Sequence, residues 1–517
     1  MMIKLTEKNR KWWILLAMSS ALALVFIDQT ALAVALPTIQ RELNLTNSLT
    51  QWVINAYLLA LSAFILLGGK VGDRLGHRRA FLWGVIVFVV SSVLCALAES
   101  GTWLITMRAL QGIGAAFMIP STNALVTNAF PDEERGKALG IYIALAAIFL
   151  ALGPLLGGLL TQAFSWRAVF WINFPIALSS IFLAISSIPA GWQRSEKLNI
   201  DGLGFFISIL FIGGFVLSFM EGANWGWTSL PIISLLLFSI FSLGAFILWE
   251  NKAPHPLVEL SLFKNLTFSI LFSILLIAQS IGIVFVFWAL FLQNVLHYAP
   301  LKAGLLLLPA MLPIIFMAPI GGHLRDQYGP RLPMFLGSLL IILSLIWIGF
   351  FSHNQSYAIL FPGLLGFGIG MPLMLSGIMV TIMNIVKVEQ RGMASAMLNC
   401  ARQLGTSIGL AVLAGLLSSL NKWQLGSFLK QSTAPFSSLQ EYQIDGLLVQ
   451  SDRAMQAVRH LSAQNLELLK IAAAKAYTSA FSITLFVEAL FAFVTLMLIF
   501  KIPRKKIDHS TGFQSTL

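Results

Sequence analysis

The chain has 517 residues, of which 57% are hydrophobic and only 10% charged, and its mean hydropathy is +0.84. A soluble domain carries about 25% charged residues, so this composition excludes a soluble enzyme, a disordered chain and a nucleic-acid-binding module. The net charge of +12 comes from Lys and Arg dispersed through short connectors, which is the pattern of membrane topology and not of a basic patch.

A helix needs about 20 apolar residues to cross about 30 Å of hydrocarbon. Runs of that kind predict fourteen spans, at roughly 13–37, 50–69, 80–98, 102–123, 137–161, 167–188, 201–220, 228–249, 268–292, 303–321, 331–352, 356–385, 394–418 and 479–501. The runs are continuous, whereas barrel strands alternate over about 10 residues, so the expected fold class is an all-α polytopic membrane protein. The first run is too long for the apolar core of a signal peptide and lacks a small-residue cleavage site. Cys95 and Cys400 both lie inside apolar runs, which gives no disulfide framework and no metal cluster.

In chain order, the first span carries Asp28, Gln29 and Thr30. Asp28 lies roughly 24 Å along the helix from Trp12 at 1.5 Å per residue. The second span is followed by Gly68-Gly69-Lys70-Val71-Gly72-Asp73-Arg74-Leu75-Gly76-His77-Arg78. The fourth carries Arg108 and Gln111, with Arg108 roughly 9 Å in from the opposite surface. Asp28 and Arg108 are thus expected in the same half of the membrane at similar depth. An ionisable group there costs about 2.5–3.5 kcal/mol on insertion scales. Two readings account for the pair. In one, a conformational change alters the surroundings of Asp28, which loads or releases a proton. In the other, the two form a static structural pair.

The fifth span holds Gly153, Pro154, Gly157 and Gly158, which allow close backbone approach and a bend. Simple helix packing is the alternative. Glu221 ends the seventh span beside Asn224, Trp225 and Trp227, an aromatic group that reads as an interfacial belt. Gln29, Thr30, Gln111 and Glu221 are the candidates for a substrate cavity. Arg402, about eight residues into the thirteenth span, is expected to snorkel or to pair with loop charges. Glu488, in the last span, is a second candidate for proton coupling, with contact to the preceding loop as its alternative. None of the seven histidines falls mid-span. Residues 419–478 mix charges with apolar residues such as Leu447, Leu448, Met455, Val458, Leu461, Leu466 and Leu469. An amphipathic helix near the outer surface is expected there.

Orientation follows from the Lys and Arg count. With the N-terminus cytoplasmic, 22 of the 33 fall on inner segments and three, Arg41, Arg167 and Lys302, on short outer loops. Both termini are therefore expected inside. An internal repeat is also visible. Gly321-Gly322-His323-Leu324-Arg325-Asp326-Gln327-Tyr328-Gly329-Pro330-Arg331 echoes the segment after the second span at an offset of 253 residues. Glu133-Glu134-Arg135-Gly136-Lys137-Ala138 is echoed by Glu389-Gln390-Arg391-Gly392-Met393-Ala394 at an offset of 256. Two echoes on one side argue for parallel repeats. The expected organisation is a six-helix bundle over 1–190, two inserted helices over 191–265, a second six-helix bundle over 266–503 with the outer segment 419–478, and a tail over 504–517. The repeated loops, with Gly69, Asp73, Arg74, Gly76 and Arg78 in one copy and Asp326 and Arg331 in the other, are placed to latch the halves together. Ordinary solvated connectors are the alternative.

At these residues the chain resembles the major facilitator superfamily and, more narrowly, its 14-helix EmrB/QacA-type drug:proton antiporters. The segment Gly68–Arg79 resembles the superfamily's signature between helices 2 and 3. Asp28-Gln29-Thr30 with Ala35-Leu36-Pro37 is similar to the subfamily's first-helix motif, with Ala33 where that motif usually has Asn. Arg108-Ala109-Leu110-Gln111-Gly112 is similar to the fourth-helix motif, whose Arg is implicated in proton coupling. Gly153-Pro154-Leu155-Leu156-Gly157-Gly158 resembles the antiporter motif, with Phe149 where an upstream Gly is expected. Trp166-Arg167 with Asn173 and Pro175, and Arg391–Ser395 with Arg402–Gly405, are similar to further hallmarks of the subfamily.

The resemblance implies a secondary active exporter in the cell membrane, the inner membrane in a Gram-negative cell, that exchanges protons for lipophilic or amphipathic small molecules, with no cofactor. In Gram-negative relatives such exporters work with a periplasmic adaptor and an outer-membrane channel. Segment 419–478 is then either an adaptor-docking element or an uncommitted surface hairpin. Export of one dedicated metabolite, such as a siderophore, peptide or lipid, is the alternative on the same scaffold. A multi-helix membrane transferase is a remote alternative, because the sequence shows no cluster of His, Asp or Glu at one membrane face. No Walker-type loop is present to couple ATP.

Overall fold

In hydrocarbon, an apolar segment has to satisfy its backbone N–H and C=O groups internally, and the α-helix does this within one segment. The computed structural model describes residues 7–189, 201–254, 256–386, 390–431, 447–449, 452–459 and 461–502. It contains α1 (Glu7–Glu42), α2 (Asn47–Leu75), α3 (His77–Ala96), α4 (Gly101–Ala129), α5 (Asp132–Ala163), α6 (Ala168–Trp171) and α7 (Asn173–Ser187). These are followed by α8 (Gly202–Trp225), α9 (Leu230–Glu250), α10 (Leu266–Gly282), α11 (Val284–Asn294), α12 (Pro300–Met311) and α13 (Pro313–Tyr328). The chain ends with α14 (Arg331–Phe351), α15 (Tyr357–Leu375), α16 (Ile378–Ile385), α17 (Arg391–Gln431), α18 (Asp452–Ala457) and α19 (Ala463–Ile499). Among the described residues there are 14 segments long and apolar enough to span a membrane and no strand. The protein is an all-α polytopic membrane protein.

Several spans are longer than the apolar runs, because helical hydrogen bonding does not stop at the edge of the hydrocarbon. The segment after the second span, expected as a loop, is helical through Leu75, and the turn is confined to Gly76 at φ 92°. The second copy behaves alike: α13 runs to Tyr328 and the turn is Gly329 at φ 84°. Both glycines hold a backbone conformation that an L side chain rarely adopts. Helix contacts repeat with them. A Cβ on Gly84 would lie 2.7 Å from the carbonyl oxygen of Gly114, and one on Gly337 would lie 2.5 Å from that of Gly370. The duplicated sequence therefore builds a duplicated helix–helix contact.

Four spans are broken. Ile172 separates α6 from α7, Ile283 separates α10 from α11, Leu312 separates α12 from α13, and Ser376 and Gly377 separate α15 from α16. Helix α1 is central, with 83% of its most apolar stretch buried, against 17% for α9. Leu237, Phe241 and Leu248 of α9 are exposed, as befits a helix whose outer side faces lipid.

Trp12 at the start of α1 packs edge-on against Phe130 at the end of α4, and Phe335 of α14 against Phe500 at the end of the last span. This surface is the terminal face, and the opposite one is the loop face. The two halves meet on the loop face. Gln293 of α11 donates to the carbonyl of Val34 on α1 at 2.9 Å, and Ser407 of α17 donates to Asn55 of α2 at 2.8 Å. Gly158 of α5 lies against Pro300 and Leu301, and Gly304 of α12 lies against the carbonyl of Pro154.

Residues 419–431 and 463–478 extend α17 and α19 as helices beyond their apolar runs, in place of the expected helix along the surface. Leu425, Leu429, Leu447, Ala454, Val458, Leu469, Ala473 and Ala476 form a small core of their own. Residues 432–446, the connector at 190–200 and the tail at 504–517 lie outside the described residues, as do the side chains of Arg135 and Arg391 in the second sequence echo.

Candidate functional site

The site grows from three helices of the first half. Arg108 and Gln111 are three residues apart on α4 and so share one face. Asp28 comes from α1. Asn173 is the first residue of α7, just after the break at Ile172, which turns its amide toward α1. All four are fully buried. Arg108 Nη1 donates to Asp28 Oδ2 at 2.5 Å and to Gln111 Oε1 at 2.6 Å. Gln111 Nε2 donates to Asp28 Oδ1 at 3.0 Å, and Asn173 Nδ2 donates to the same oxygen at 3.2 Å. Asn173 also donates to Ser92 Oγ at 2.9 Å, and Arg108 Nε donates to the carbonyl of Val53 at 3.1 Å. The guanidinium lies 4.4 Å from the Tyr57 ring centre. Both carboxylate oxygens are therefore occupied, and the hydrogen bonds around the ion pair offset part of the penalty for burying it. Of its members, Asn173 and Ser92 were not among the candidates proposed from sequence. Asn173 had a signal, as one of the subfamily hallmarks. Ser92, beside Ser91 in an apolar run, had none.

Arg108 also lines a cavity of about 190 Å³ at the middle of the molecule. Asp28 sits behind the guanidinium and does not reach the wall. From the first half the wall takes Phe26, Gln29, Thr30 and Tyr57, and from the second Gln279, Phe285, Trp288, Phe367, Met371 and Arg402. The breaks at Ile283 and Leu312 fall at the cavity, where Gly282, Ile283, Met311 and Ile314 line it. Arg402 was expected to snorkel or pair with loop charges. Instead it stands on the cavity wall and makes no ion pair among the described residues. It is one turn before Thr406, which also lines the cavity.

The remaining candidates are distributed as follows. Thr30 donates to the carbonyls of Phe26 at 2.8 Å and Leu150 at 3.2 Å, which ties α1 to α5. A Cβ on Gly153 would lie 1.7 Å from Thr30 Oγ1, and one on Gly157 would lie 2.3 Å from the carbonyl oxygen of Ala31. The glycines around Pro154 thus let α5 lie directly on α1 and, through Gly158, on α12. Glu221 is outside the cavity, at the loop-face end of α8, bound to Ser48 and Trp52. Glu488 is buried on α19 in the second half, away from the cavity wall, and neither of its oxygens has a hydrogen-bond partner among the described residues.

On the terminal face, Gly69, Asp73 and Arg74 are helical. Asp73 is 3.1 Å from His77, and Asp326 is 2.5 Å from its neighbour Arg325. Arg331 stacks on Phe500 at 4.9 Å, and Arg78 follows the Gly76 turn. Among the described residues neither aspartate pairs with the opposite half. Among the described residues no group of three or more His, Cys, Asp or Glu could hold a metal ion.

Two helical halves that meet on one face around a central cavity, with a buried ion pair beside it, have the architecture of a membrane transporter. The family model of the Major Facilitator Superfamily matches residues 18–410, and the chain belongs to that family. It is 33% identical over 413 residues to the multidrug resistance protein Stp of Mycobacterium tuberculosis, covering 78% of this chain and 75% of that protein. It is 32% identical over 416 residues to the tetracenomycin C resistance and export protein of Streptomyces glaucescens, covering 80% and 77%. Among solved structures, it is similar to the bacterial homologue of the human lysosomal transporter Spinster in its inward-facing, unoccupied conformation. The TM-score is 0.65 at 19% identity, over 96% of this chain and 98% of that one. The protein is a multi-pass cell-membrane transporter.

Proposed function

We propose that the protein is a secondary active exporter that exchanges protons for lipophilic or amphipathic small molecules, with its termini in the cytoplasm. The observation that carries this reading is the buried Asp28–Arg108 pair directly behind the wall of the central cavity. Relatives named for drug resistance and antibiotic export support the direction of transport. The excess of Lys and Arg on the terminal face supports the orientation.

The coupling runs through α1. With Asp28 ionised, the network of Arg108, Gln111 and Asn173 is complete. Adding a proton to the carboxylate removes the counter-charge of a buried guanidinium, which costs several kcal/mol unless the network rearranges. Six residues on, the same helix offers the Val34 carbonyl to Gln293, and at Ala31 it supports Gly157 of α5. Movement of α1 therefore reaches the contacts that close the loop face. The conformation seen, with the loop face sealed and the carboxylate ion-paired, is the state that has released its proton and awaits substrate from the cytoplasm. Gly69, Asp73, Arg74, Gly76 and Arg78, with Asp326 and Arg331, close the terminal face in the opposite state. Glu488 is assigned to the same proton traffic, as a buried acid in the second half. One elementary charge crossing 100 mV supplies about 2.3 kcal/mol, or about 1.7 decades of gradient at about 1.4 kcal/mol per decade.

The test is efflux from a host lacking its own exporters, with and without a proton uncoupler, followed by transport in proteoliposomes under an imposed proton gradient. Export that survives the uncoupler would rule out proton exchange.

A further inference from the structure

The cavity wall is chemically one-sided. Of the described residues that form it, Arg108 and Arg402 are charged and none is acidic. Arg108 is neutralised by Asp28 behind it, so Arg402 gives the wall a net positive charge. Among the described residues, two buried N–H donors of the wall lack an acceptor, Trp288 Nε1 and Arg108 Nη2, and the Tyr57 hydroxyl, which can donate or accept, is also without a partner. Buried donors of this kind are costly unless something accepts from them. Around them stand Phe26, Tyr57, Phe285 and Phe367, which suit a flat or greasy body. A lipophilic cation would meet an unpaired guanidinium here and find no carboxylate to pair with.

We infer that the central cavity selects amphiphiles that carry an acidic group, a carboxylate, sulfonate or phosphate, with Arg402 as the anchoring cation and the Trp288 indole N–H as a second donor. This rests on the reading of the cavity as the transport site and names the class of solute it takes. Arg402 pairs with the acid through a fork of N–H donors, and the aromatic wall takes the rest of the molecule. An exporter of this kind moves one proton inward and one anion outward, two charges in the same electrical sense. A membrane potential therefore drives it twice as strongly as exchange of a proton for a neutral solute.

Fluorescein and rhodamine 123 share a three-ring body and differ in charge, which makes them matched probes. Equilibrium binding to the purified full-length protein, without any gradient, tests the pocket. Gradient-driven uptake into proteoliposomes tests export separately. The expected result is fluorescein binding at least tenfold tighter than rhodamine 123. Arg402→Gln should remove that preference, Arg402→Lys should retain part of it, and Arg402→Glu should reverse it. Reversal cannot come from misfolding, so it separates recognition from stability. Trp288→Phe should weaken fluorescein severalfold and leave rhodamine 123 unaffected. Equal binding of the two dyes, binding of neither, or a fluorescein preference that survives Arg402→Gln would overturn the assignment. Charge-selective binding without gradient-driven uptake would uphold the pocket and refute the exporter.

Discussion

Glu221 on α8 accepts the indole N–H of Trp52 on α2 at 2.7 Å and the hydroxyl of Ser48 at 3.0 Å. The same helix end is tied to the other half. Lys422 of α17 donates to the carbonyl of Ala223 at 3.2 Å and to the side chain of Asn224, and Trp227 donates to Ser419 at 2.8 Å. The inserted pair therefore braces the seam between α2 and α17 on the closed loop face. Glu221→Ala leaves Trp52 without its acceptor and should cost about 1.5–3 kcal/mol, the range for a hydrogen bond to a charged group. In a background lacking Cys95 and Cys400, the check is maleimide labelling of Ser407→Cys, which lies in that seam. Labelling should accelerate in the Glu221→Ala protein, and an unchanged rate would show that the brace does not hold the seam.

Asp28→Asn keeps the shape of the side chain and removes the charge opposite Arg108. Truncating one member of a buried ion pair is expected to cost about 3–5 kcal/mol, partly offset here because Gln111 Oε1 still accepts from Arg108. Proton-driven uptake into proteoliposomes should fall to background, while counterflow of substrate without a gradient persists. Retained proton-driven uptake would remove Asp28 from the coupling step. Asn173→Ala should be milder, because it removes one donor from Oδ1 and leaves Gln111 in place.

The two adjacent glycines of α5 should behave differently. A Cβ on Gly157 meets the backbone of Ala31 on α1 within the same half, at 2.3 Å from its carbonyl oxygen. A Cβ on Gly158 meets Pro300 and Leu301 of the opposite half, at 2.5 Å and 2.7 Å. Gly157→Ala should lower the melting temperature, since overpacking costs about 1–3 kcal/mol wherever the half is folded. Gly158→Ala penalises only the closed loop face. It should raise accessibility from that face with a smaller loss of thermal stability. Equal thermal losses with no change in accessibility would contradict this division.

Gly76→Ala and Gly329→Ala force a side chain into a backbone region that costs of order 1–3 kcal/mol. The two turns have similar φ, at 92° and 84°, so the two losses should be similar. Thermal unfolding of the purified variants measures them. A loss at one copy only would mean that the repeat is not energetically equivalent.

The sequence by itself determined the membrane class, the fourteen spans, the duplication and the shared depth of Asp28 and Arg108, whereas Gln111, expected at the cavity, is found in the ion-pair network instead. Each of these depends on chemistry that is local in the chain. Continuous apolar runs must be helices in hydrocarbon, and a charge inside one is conspicuous because its burial is costly. Tertiary structure decided the rest. Asn173 joins the network because a helix break at Ile172 aims it there, and no local pattern marks that aim. Arg402 stands on the cavity wall because helix packing turns that side of α17 inward, whereas position along the span suggested snorkelling or pairing with loop charges. Glu221 is a brace and not a cavity residue because α8 lies in the seam between the halves. In each case depth in the membrane was readable from counting residues. The direction a side chain faces was not, because it is fixed by which helix becomes its neighbour.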